Sequence, residues 1–163
     1  PMPSPGQDLG AEAAAPTGTG LVSDGGDGAE RGDGRPPRLW VALEGLVQRC
    51  VPVQCRPATD EELLLVHSPS FVAQLEPPDT PPSGGSGPRR AVGAALALLE
   101  QILGGALRNG VALISPQDPQ DPPQPTAVAA RVAQKHLGVQ RVLVVDWSPQ
   151  PGRSLPRLFQ EDP

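Results

Sequence analysis

Apolar positions gather in three runs along the chain, Leu39 to Leu75, Ala91 to Ser115 and Ala127 to Trp147, separated by stretches with few apolar side chains. Leu39, Leu43, Leu46 and Val47 share one helical face, so RLWVALEGLVQR reads as a short amphipathic helix. Thr59-Asp60-Glu61-Glu62 has the form of a capping box opening the apolar run Leu63 to Val66. Ser68 followed by Pro69 marks a second helix start, and that helix carries Phe71, Val72 and Leu75. A third helix is predicted from about Arg90 to Leu107, closed by Asn109-Gly110 as a left-handed stop.

Beyond it the pattern changes to strand, helix, strand. Val111 to Ser115 is a continuous apolar run of strand length, Ala127 to His136 is a helix that Gly138 can terminate, and Arg141 to Asp146 is a second strand. Runs without alternation suit parallel strands covered on both faces, so the two strands are expected side by side with the helix across one face. The fold class expected is α/β, a partial parallel sheet with a βαβ unit. The loops at Pro116 to Thr126 and Trp147 to Gly152 leave the carboxyl ends of these strands, where open α/β sheets place ligands.

Composition lowers the share of the chain expected to pack. Pro 23 and Gly 19 together make up about a quarter of the 163 residues, at the edge of the low-complexity range. Residues 1–34 are expected to be a disordered low-complexity segment, residues 35–163 a partial domain, and residues 76–90 (EPPDTPPSGGSGPRR) a linker within it. With two Phe, two Trp and no Tyr, the burial on offer is modest, and marginal stability in isolation is expected.

The formal net charge is -5, and the basic residues are scattered rather than striped, which argues against direct nucleic-acid binding. The longest apolar stretch, AVGAALALL, is far short of a membrane span. No secretory signal pattern is present, a chain running from PMPSPG to FQEDP reads as a fragment, and a cytoplasmic or nuclear location is the default expectation. Cys50 and Cys55 lack further metal ligands at useful spacing, since His67 and His136 belong to other segments, so both read as free thiols. Asp118 and Asp121, set among prolines, read as solvated loop carboxylates rather than a metal pair.

Four ordered blocks then carry a resemblance: RPPRL, RPATDEELLLVHSPSFV, GAALALLEQILGGALRNGVALI and AVAARVAQKHLGVQRVLVVDW, with LFQEDP after them. Together they cover roughly half of the chain, and the sequence resembles histone deacetylases of class IIb. The resemblance implies the arginase-deacetylase fold and zinc-assisted hydrolysis of acetylated lysine, with acetylated proteins such as histones or tubulin as partners and a role in chromatin regulation. In such chemistry the metal polarises the carbonyl and acidifies a bound water while an imidazole takes its proton.

The same resemblance exposes departures. Where the family carries Arg-Pro-Pro-Gly-His-His after the first strand, this chain has Ser115, Pro116, Gln117, Asp118, Pro119 and Gln120, so Pro119 and Gln120 occupy the proton-handling histidine positions. Where it carries Asp-Trp-Asp-x-His-His-Gly, this chain has Asp146, Trp147, Ser148, Pro149, Gln150, Pro151 and Gly152, so Ser148 and Gln150 occupy zinc-ligand positions. Asp146 matches the family residue that supports a structural monovalent-cation site. The opening strand expected before RPPRL reads as replaced by Gly/Asp-rich sequence. No catalytic residue, zinc site or other cofactor is expected in the chain as written. Two alternatives stand beside this pseudoenzyme reading: the amino-terminal part of a longer active deacetylase, and an interaction module offering PPDTPP and DPPQP to polyproline-binding domains.

Overall fold

In the computed structural model, which describes residues 18–25, 45–77, 87–115, 124–146 and 154–160, three parallel strands make the sheet. They are β1 (Thr19–Ser23), β2 (Val51–Pro52) and β3 (Asn109–Leu113), in the order β2-β1-β3. β1 and β3 pair from Thr19 opposite Asn109 to Ser23 opposite Leu113. The central strand therefore comes from residues 1–34, the segment expected to be disordered, and it lies in the Gly/Asp-rich sequence before RPPRL where no strand is expected. The reason is that composition averaged over a long Gly-rich stretch hides a five-residue strand, TGLVS. Flanked on both edges, it buries Leu21 and Val22, and this burial opposes the ordering entropy of a short segment.

The helices are α1 (Asp60–Leu64), α2 (Pro69–Val72), α3 (Pro88–Leu103), α4 (Pro125–His136) and α5 (Ser154–Leu158). Thr59 caps α1 as its sequence predicts: its hydroxyl accepts from the Glu62 N–H while the Glu62 carboxylate accepts from the Thr59 N–H at 2.8 Å. Ser68 caps α2, with Pro69 in the first turn. α3 stops at Leu103, earlier than Leu107, because Gly104 and Gly105 offer a lower-cost exit: Gly105 has φ +78°, open to glycine without a Cβ penalty. Asn109-Gly110, expected to close the helix, instead begins β3, which ends at Leu113 rather than Ser115. Of the helix read at RLWVALEGLVQR, residues 45–50 are described, with a helical turn at 45–47. The end of the expected 76–90 linker is also ordered, as Pro88 to Arg90 form the first turn of α3.

α3 is the element on which the core is built. One side carries Val92 and Leu96 against Ala58, Leu63, Val72, Val128 and Val132. Ala94 and Leu98 pack with Val22 and Leu107 in a second cluster. Close approach of α3 to the sheet depends on Gly20 and Gly110, over which the Leu98 side chain sits; a Cβ on Gly20 would stand 2.8 Å from Leu98 Cδ1. Gly93 plays the same part toward the Arg56 to Ala58 backbone.

The second expected strand is not formed. Arg141 to Asp146 carries no strand assignment, β3 pairs with β1 instead, and the side-by-side βαβ pairing is absent among the described residues. An aliphatic run signals strand propensity but does not name its neighbour. Leu143 is 87% exposed and Val145 61% exposed. Among the described residues no helix is long and apolar enough to cross a membrane.

Candidate functional site

Parallel pairing of β1 and β3 brings the residues just past their carboxyl ends together, and the chemistry there is carried by Asp24. It extends the ladder by one step, its N–H donating to the Leu113 carbonyl at 3.2 Å. Its side chain is 1% exposed. One carboxylate oxygen, Oδ2, accepts from the Ser115 N–H at 2.9 Å, and Oδ1 accepts from the Ser115 hydroxyl at 3.1 Å. The Arg90 Nε–H donates to the Asp24 backbone carbonyl at 2.9 Å, joining the first turn of α3 to the same point. Asp24 thus fixes where the segment beginning at Pro116 leaves the sheet.

Beside this clasp lies Cys55, whose Sγ–H reaches the Arg90 and Arg56 carbonyls. Burial pushes its thiol up from the ordinary value, the nearby Arg90 opposes that and Asp24 adds to it, so the thiolate is disfavoured. Cys50 and Cys55 are both free thiols, as the spacing suggested. One step further, the Arg56 guanidinium grips Glu62 through two hydrogen bonds, at 2.9 and 2.6 Å, and also binds Glu100 on α3. Hydrogen bonding to Glu62 outweighs burial and raises the Arg56 pKa. Burial pushes the Glu62 carboxyl up, but hydrogen bonds from Arg56 and Thr59 outweigh it and hold it below the usual carboxylate range. Arg89, mostly buried, ties Asp60, the Ala58 carbonyl and the Glu76 carbonyl together.

These groups hold elements together rather than present reacting atoms. The Ser115 hydroxyl donates to the Asp24 carboxylate, whereas nucleophilic serine chemistry passes that proton to an imidazole. His67 stacks on Phe71 with ring centroids 4.1 Å apart in the region of α1 and α2, and His136 is the last residue of α4. Asp146 is exposed at the end of the aliphatic run and engages a neighbour. Among the described residues no three His, Cys, Asp or Glu side chains are grouped to hold a metal ion. Pro119, Gln120, Asp118, Asp121, Ser148 and Gln150 lie outside the described residues, as do most of PPDTPP and part of DPPQP. Asp24 and Arg90 are the site residues that sequence reasoning missed; the signal available was a short apolar run, Gly20 to Val22, followed by Ser-Asp.

The chain is 36% identical over 164 residues to the human protein "Polyamine deacetylase HDAC10", a match covering 79% of this chain and 24% of the relative. The rat protein of the same name is 34% identical over 160 residues, covering 78% of this chain and 27% of the relative. This chain belongs to the class IIb histone deacetylase family. A more distant deacetylase of that name, from Danio rerio, matches at 29% identity over 162 residues and 78% of this chain. The chain spans about a quarter of the length of these curated relatives. No family model matches it.

Proposed function

We propose that this chain is a deacetylase-family module, of the arginase-deacetylase fold, that no longer hydrolyses amides. The observation that carries the reading is the pair of sequences SPQDPQ and DWSPQPG at the two loops where the family assembles its reacting groups. Pro119 has no side-chain proton acceptor, and the Gln120 amide is too weak a base to take a proton from water. Ser148 and Gln150 offer a neutral hydroxyl and amide where zinc favours carboxylate and imidazole. This donor set does not fit zinc, and no hydrolytic step is drawn through it. The parallel β2-β1-β3 sheet, with its loops at the strand carboxyl ends, supports the fold assigned.

The ancestral substrate we assign is the acetyl amide of a cationic amine. The relatives' name points to polyamines, and acetyl-lysine of proteins such as histones or tubulin shares that chemistry. A second reading, in which this sequence is the amino-terminal part of a longer deacetylase, draws on relatives about four times its length. Zinc titration followed by calorimetry tests the assignment. The reading predicts no stoichiometric uptake that survives a chelator wash; one tightly held zinc per chain would overturn it.

A further inference from the structure

We draw no further inference here: the strongest candidate, the apolar cavity of about 330 Å³ beside Cys50 that Leu46 and Val47 line together with Leu21 of β1 and Val111 of β3, is an unpartnered face of the sheet, and nothing in the structure shows what covers it.

Discussion

The buried carboxylate of Asp24 receives both the backbone N–H and the hydroxyl of Ser115, at 2.9 and 3.1 Å, from across the β1–β3 pair. Two residues 91 apart in sequence are thereby locked at the carboxyl ends of adjacent parallel strands. On the function proposed above, the loop assigned to the family's proton-handling histidines begins immediately after Ser115, and the Asp24 clasp holds its point of departure.

Removing the acceptor is expected to cost more than removing one donor. Asp24→Ala leaves the Ser115 N–H without its carboxylate in a buried site, a loss of about 1–3 kcal/mol or more. Ser115→Ala deletes the hydroxyl donor alone and should cost about 1 kcal/mol. Urea unfolding of the two variants measures the difference, and equal costs would contradict the assignment of Asp24 as the common acceptor.

Helix α3 lies close to its neighbours at two kinds of contact, and they should respond differently to an added methyl. A Cβ on Gly93 meets the Arg56 backbone, which no side-chain rotation relieves, whereas a Cβ on Gly110 meets the Leu98 side chain, which can turn away. Gly93→Ala is expected to destabilise by about 3 kcal/mol or more and Gly110→Ala by about 1–2 kcal/mol. Thermal unfolding of both variants checks the order; a milder effect at Gly93 would show that α3 and the Arg56 segment are farther apart.

The Arg56 to Glu62 pair gives the fold an acid limit of definite sign. Because the folded state lowers the Glu62 pKa, the stability it contributes is fully present above the ordinary unfolded value of about 4.3 and is lost as pH falls through the lower folded value. The stability difference between the wild type and Glu62→Gln should therefore hold steady from neutrality down to about pH 5 and shrink below it. Denaturant unfolding across that range is the check, and a difference that widens on acidification would contradict the ion pair.

What could be read from the residues themselves was local. Thr59 with Glu62, Ser68 with Pro69 and the apolar face of α4 were legible because caps and helical periodicity act within a few residues. β1 was hidden because its five residues sit in Gly-rich sequence and owe their order to strands 30 or more positions away, Val51 opposite Gly20 and Val111 opposite Leu21. Asp24 was hidden with it, since a buried carboxylate next to glycines looks like a solvated turn until Ser115 is placed beside it. The pairing of β3 was misassigned for a related reason: the nearest strand-length run in sequence, Arg141 to Asp146, is not its neighbour in space. The positions on which the proposed loss of catalysis rests, Pro119, Gln120, Ser148 and Gln150, can be read only as departures from a family pattern, because local physics gives Pro, Ser and Gln no mark of what they would replace.

Acetate release by the purified chain tests the central claim most directly. Incubated with an acetylated polyamine and with an acetyl-lysine peptide in the presence of added zinc, the chain is expected to release acetate no faster than the buffer, because catalytic groups that act together lose roughly a millionfold of rate when removed. Chelator-sensitive acetate release from either substrate, at a rate that rises in proportion to the chain's concentration, would contradict the account.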